Sequence, residues 1–145
     1  MRYPKIITVI LFLTLAPMLY AQNIADYQWK NRLIFLVDET MQTPAMRSQL
    51  NIFSTKVDEL EERETLLFQL TPDNVVLSNG EKSTLSPNDV YASLSVSKNF
   101  KGLILVGKDG GVKLKNTFVV EAEAVFGLID GMPMRKSEIK RKKGD

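Results

Sequence analysis

Three apolar runs of strand length constrain the fold of this chain more than any other feature. Arg32-Leu-Ile-Phe-Leu-Val37, residues 65–70 and residues 102–106 each lack the polar alternation of a half-exposed strand. Such runs belong to strands covered on both faces, as in an α/β sheet. Helical signals lie between them. Thr43-Pro44 supplies an N-cap and a proline at the first helical position, where its missing N–H costs nothing. Met46, Leu50, Phe53, Val57 and Leu60 follow at helical spacing and predict one helix to about Arg63, with all five on its buried stripe. Ser86-Pro87-Asn88-Asp89 repeats the cap-then-proline pattern and opens a short helix to about Ser95.

The remaining segments complete the order. Residues 72–85 read as a polar connection with a turn at Asn79-Gly80. Lys108-Asp-Gly-Gly111 is a hairpin turn between the third apolar run and Val112-Lys-Leu-Lys115, whose alternation marks a half-exposed edge strand. Ala122, Val125, Phe126 and Ile129 repeat at helical spacing, acids at 121 and 123 complement the helix dipole, and Gly131 and Pro133 end the helix. The order is βαβαββα: a parallel crossover unit followed by a hairpin and a helix. This predicts an α/β fold of thioredoxin-like type, a four-stranded mixed sheet flanked by helices.

The two ends differ in character. Arg2 and Lys5 precede an apolar run from Ile6 to Leu15, and Pro17 and Leu19-Tyr20-Ala21 close it as a secretory signal closes. A membrane span needs roughly 20 consecutive apolar residues, more than this run offers before Pro17. Residues 1–21 are therefore expected to be a signal peptide cut after Ala21, leaving an exported protein without a permanent span. Both charges of the net +2 sit in this segment, so residues 22–145 are neutral overall. Residues 22–134 are expected to form the domain and residues 135–145 a basic tail suited to touching anionic surfaces.

The composition excludes much chemistry. The chain has no histidine and no cysteine, so thiol exchange, thiol-dependent peroxide reduction, Ser-His-Asp hydrolysis and His/Cys zinc sites are all ruled out. No disulfide holds the domain, which must close one hydrophobic core unaided. No motif calls for a cofactor or metal, and nothing points to nucleic acid. The Gly110-Gly111 pair fits no phosphate-binding pattern. The acidic run from Asp58 to Glu64 reads as a solvated helix face.

Three phrases carry a family resemblance. Tyr27-Gln-Trp-Lys-Asn-Arg32, Val106-Gly-Lys-Asp-Gly-Gly-Val-Lys-Leu114 and Ile129-Asp-Gly-Met-Pro-Met-Arg135 together resemble the family catalogued as domain of unknown function 4174. The resemblance spans about Tyr27 to Lys140. It implies a thioredoxin-like fold in exported bacterial proteins and brings no established activity or catalytic residue. In chain direction the three phrases should converge at the pole opposite the loop that serves as the redox site in thioredoxins. Two readings of that pole stand side by side. It is either a structural clasp, with Trp29 on Met132 or Pro133 and Arg32 paired with Asp109 or Asp130, or a partner-binding surface presenting Trp29, Lys30, Lys108 and Arg135. The favoured function is a noncatalytic module binding an envelope protein or glycan through Trp29, Lys30, Arg32, Lys108, Asp109, Asp130 and Arg135. The alternative is an enzyme or small-molecule binder built on Asp38, Glu39, Thr40 and Thr43. A deep polar cleft with Asp38 and Glu39 converging would favour the alternative, and a filled loop the first reading.

Overall fold

The computed structural model describes residues 22–144; the expected signal, residues 1–21, lies outside them. The three apolar runs form the centre of one sheet. Strands β1 (Arg32–Val37), β2 (Thr65–Leu70), β3 (Val75–Leu77), β4 (Gly102–Val106) and β5 (Val112–Thr117) lie in the order β3-β2-β1-β4-β5. β1 and β2 are parallel, and the other neighbours antiparallel. Every residue of β1 and β4 is buried, as expected for strands covered on both faces. The expected βαβαββα order is present once the short edge strand β3 and the C-terminal helix are set aside and the two helical pieces between β1 and β2 are counted as one crossover.

The fifth strand is the first correction. Val75-Val76-Leu77 turns back at residues 71–74 and pairs with Phe68, Gln69 and Leu70. Three residues inside a polar connection are too few to show a period. Only the exposed edge of β2 gives them hydrogen-bonding partners.

The helices are α1 (Pro44–Ser54), α2 (Val57–Glu62), α3 (Pro87–Leu94), α4 (Ala122–Asp130) and α5 (Pro133–Gly144). Thr43 caps α1, its hydroxyl accepting from the Met46 N–H. The expected long helix is instead two. The Lys56 N–H turns back to the Phe53 carbonyl, and the axis shifts at Thr55 and Lys56. Met46, Phe53 and Leu60 remain buried, whereas Val57 is 52% exposed. A third correction concerns the C-terminus. Pro133 ends α4 and also begins α5, in which Arg135 and Glu138 are buried against the domain. Residues 135–144 are thus packed helix, at least over their first turn, rather than a free tail.

The sheet divides two cores. One face packs Met46, Phe53 and Leu60 with Val125, Phe126 and Ile129 of α4. The other packs Phe35, Phe68 and Leu70 with Val90, Tyr91 and Leu94 of α3. Phe35 and Phe68 stack at 5.1 Å. Among the described residues no helix is long and apolar enough to cross a membrane.

Candidate functional site

Strand direction brings the three resemblance phrases to one pole. β1 and β2 begin there, β4 ends there, the β4–β5 hairpin crosses it, and α4 descends to it. The Gln28 side-chain amide donates to the Asp109 carbonyl at 2.9 Å. The Trp29 N–H donates to the Lys108 carbonyl at 2.7 Å. Gly110 closes the hairpin at φ +85°, where a side chain would be strained.

Beneath this layer lies a network of buried charge. Both terminal nitrogens of Arg32 donate to Glu138, Nη1 to Oε2 and Nη2 to Oε1, at 3.2 Å each; Nη1 also donates to the Arg63 carbonyl at 2.8 Å. Lys108 Nζ donates to Glu138 Oε1 at 2.7 Å and also reaches Glu64. Arg135 donates to Glu62 Oε1 at 2.8 Å and to Asp130 Oδ1 at 3.1 Å. Arg63 holds the same Asp130 through Nε at 3.0 Å and Nη2 at 2.8 Å, with its guanidinium 4.6 Å from the Phe126 ring centre. Arg32, Lys108, Arg135 and Glu138 are only 1%, 7%, 1% and 6% exposed. Charges this deep persist only when paired and hydrogen-bonded. Burial by itself would raise the Glu138 carboxyl; the hydrogen bonds and charges of Arg32 and Lys108 outweigh it and hold Glu138 below the ordinary value. Asp130 is lowered in the same way, with burial opposed by Arg63 and Arg135.

These contacts redistribute the expected site. Arg32 pairs with Glu138, not with Asp109 or Asp130. Arg32, Lys108 and Arg135 are buried and paired within the network. Asp130 joins the clasp through Arg63 and Arg135. Trp29, by contrast, does not pack away on Met132 or Pro133; it is 63% exposed. Lys30 is exposed, as is Asp109, which accepts from Lys113 at 2.7 Å and is lowered chiefly by that hydrogen bond.

Glu138, Glu62, Glu64 and Arg63 were not singled out from the sequence. Glu62 and Glu64 stand in the acidic run read as a solvated face, and Glu138 in the expected tail. One local signal was present for Glu138. Pro133 at a first helical position, followed by no helix breaker before Gly144, reads as the start of a helix.

A groove of about 450 Å³ opens beside the network, between the hairpin and the α4–α5 corner. Its walls include Arg32, Lys108, Asp109, Leu128, Met132 and Met134.

At the opposite pole, the loop of residues 38–43 is filled by its own polar contacts. Asp38 is 1% exposed. Its Oδ2 accepts from the Thr43 hydroxyl at 2.5 Å and its Oδ1 from the Glu39 N–H at 2.7 Å. Thr40 Oγ1 accepts from the Gln42 N–H at 3.3 Å. Glu39 is 62% exposed and lies 3.3 Å from Lys101 Nζ, which also comes within 3.9 Å of Asp38 Oδ1, so one half-exposed lysine links the two carboxylates. Tyr91, 4% exposed, has no partner for its hydroxyl among the described residues. Its pKa is raised by burial and then by the Asp38 charge.

No curated protein sequence matches this chain. Solved structures share its arrangement. Plasmodium yoelii thioredoxin peroxidase I is similar over 78% of this chain and 79% of its own, at 16% identity and a TM-score of 0.51, which is a likeness of fold. The profile of the family described as Domain of unknown function (DUF4174) matches residues 23–138. That span runs from the turn before Trp29 to the carboxylate that closes the buried network, and the chain belongs to the DUF4174 family.

Proposed function

We propose that this chain is an exported, noncatalytic thioredoxin-like module that binds a protein or glycan partner in the cell envelope through the Trp29 pole. The observation that carries the reading is the placement of Trp29. It is the sole tryptophan, it is exposed, and its backbone stands in the left-handed region at φ +68°. A non-glycine residue there is strained by roughly 1–2 kcal/mol. The hairpin contact at Lys108, together with Lys30 and Asn31 N–H bonds to the Tyr27 carbonyl at 3.0 Å, holds it in place. A large amphipathic ring fixed outward on a rigid backbone suits an interface anchor. Lys30 and Asp109 supply exposed charge at the same pole. The noncatalytic reading is supported by the absence of His and Cys and by the filled loop at residues 38–43.

Trp29→Ala is expected to change stability by less than about 0.5 kcal/mol, as exposed substitutions do. It is also expected to abolish in-cell crosslinking to the partner. Retained crosslinking would refute the reading, and a large loss of stability would return Trp29 to the clasp. The export component has its own check. Intact mass of protein recovered from the envelope should match a chain beginning at Gln22, and a full-length membrane-bound species would contradict it.

A further inference from the structure

The groove beside the hairpin combines three features that the partner-binding reading does not use. First, Arg32 forms part of its wall, and the Arg32 Nε–H is buried with no hydrogen-bond partner among the described residues. A guanidinium donor without an acceptor is costly in a protein interior, and the group that satisfies it should be an anion or a strong acceptor. Second, charge is sorted across the network. Arg32 and Lys108 face the groove, with the Lys113–Asp109 pair at its rim, whereas the carboxylates that neutralise them, Glu64 and Glu138, line a separate hollow with Arg141 and Lys142. Third, the rest of the wall is apolar and open. Leu128 and Met134 are 41% and 38% exposed there, and Met132 lies between them in sequence.

Gly127 explains how the groove stays open. It occupies the interior of α4, where glycine is unfavourable, and a Cβ built on it would meet nothing within 4 Å. The helix is therefore not using glycine to pack against a neighbour. The absent side chain leaves free space along the groove wall. A volume of about 450 Å³ lies within the range of small-molecule sites, roughly 300–1,000 Å³, which are mostly apolar with a few placed polar groups.

We propose that this groove binds a small carboxylic acid with an apolar body, its carboxylate displacing the cover over the buried Arg32 Nε–H to accept from it and its body lying along Leu128, Met132 and Met134. A single buried donor suits a monoanion. A doubly charged phosphate would meet the carboxylates of Glu138 behind Arg32 and of Asp109 at the rim. The site shares a pole with Trp29 but not its side chain, which is not part of the groove wall. The inference therefore stands or falls separately from the partner-binding reading.

The test uses decanoate as the probe, decanol as the uncharged control and a tripeptide ending in leucine, as free acid and as amide, titrated into the purified protein by NMR. Decanoate should shift the Arg32 Nε–Hε signal and the Leu128 and Met132 methyls. Decanol should bind about tenfold more weakly, the equivalent of one charge-assisted hydrogen bond. Removing Arg32 would disrupt the buried network, so the groove is blocked from the other side. Gly127→Leu replaces a poor helix former with a good one and fills the space. It should keep the melting temperature of the parent while weakening decanoate at least about tenfold. Trp29→Ala should leave decanoate binding unchanged even where it abolishes partner capture. Equal affinity for decanoate and decanol, unaltered binding in Gly127→Leu, or no saturable binding would overturn the proposal. Tighter binding of the free-acid peptide than of decanoate would overturn the small-acid assignment.

Discussion

Glu138→Ala is expected to destabilise the domain by about 3–5 kcal/mol, because it leaves Arg32 and Lys108 buried without their shared counter-charge. In a domain of this size the loss should appear as a fall in melting temperature of more than about 10 °C. Lys136→Ala, on an exposed position of the same helix, should stay within about 0.5 kcal/mol of the parent. The pair can be isolated by a double-mutant cycle. Arg32→Met combined with Glu138→Leu should cost at least about 1 kcal/mol less than the two single changes added together, since apolar replacement of both partners removes the stranded charge. The network also sets a direction for acid unfolding. Glu138 and Asp130 are held below their ordinary values, so the folded state binds their protons less readily than the unfolded chain does. Their contribution is complete above the unfolded carboxyl values, near pH 4, and is lost as pH falls through the lower folded values. Glu138→Ala should accordingly flatten the stability profile below about pH 4. A loss of less than about 1 kcal/mol at neutral pH, or an unchanged acid limb, would show that the C-terminal helix is not docked by this pair.

Phe53→Ala is expected to cost about 3–5 kcal/mol, the usual range for emptying a fully buried aromatic site. Phe53 is 0% exposed at the centre of the core between α1, α4 and the sheet, with its ring edge-on to Phe126 at 6.1 Å and 78°. Part of the cost is that aromatic contact, about 0.5–1.5 kcal/mol beyond area burial. Part is the cavity, because Phe126 is also held beneath the Arg63 guanidinium and cannot move in freely. Equilibrium denaturation would measure the effect. A value below about 1 kcal/mol would mean that the α1 face is not the one packed on the sheet. Val57→Ala is the useful contrast. It shares the helical spacing of Phe53 but lies after the break at Thr55 and Lys56, half-exposed, and should change stability by less than about 0.5 kcal/mol.

The same contrast shows where sequence reading of the fold loses force. Spacing placed Val57 on the Phe53 stripe, because a period assumes that the helix axis continues. The axis is broken by a backbone turn that no residue type at Thr55 or Lys56 announces. β3 carries no sequence signal for a related reason, since three residues show no period and form a strand only where β2 offers an unpaired edge. The pole was more legible than its contents. Chain direction alone predicted that residues 29–32, 108–111 and 130–135 would meet. Which charges then pair was not predictable from those phrases, and Arg32 took Glu138 in place of Asp109 or Asp130. The loop at residues 38–43 was legible as a helix cap but not as a closed one, because the inward turn of Asp38 depends on the burial that the sheet and α3 impose.

What the sequence by itself determined are features written in local chemistry. They are the three buried strands, the Thr43-Pro44 cap, the glycine hairpin, and the absence of every residue needed for thiol or histidine chemistry. From these the α/β class and the thioredoxin-like order follow, since each depends on residues within a few positions of one another. The tertiary structure alone decided which charges are buried, which stay in water, and where a groove remains open. Arg32 and Glu138 lie 106 residues apart in the chain, and no spacing rule links them. They meet because two strands and a terminal helix come together at one pole, where the low dielectric favours paired charge and, among the described residues, the buried Arg32 Nε–H has no partner.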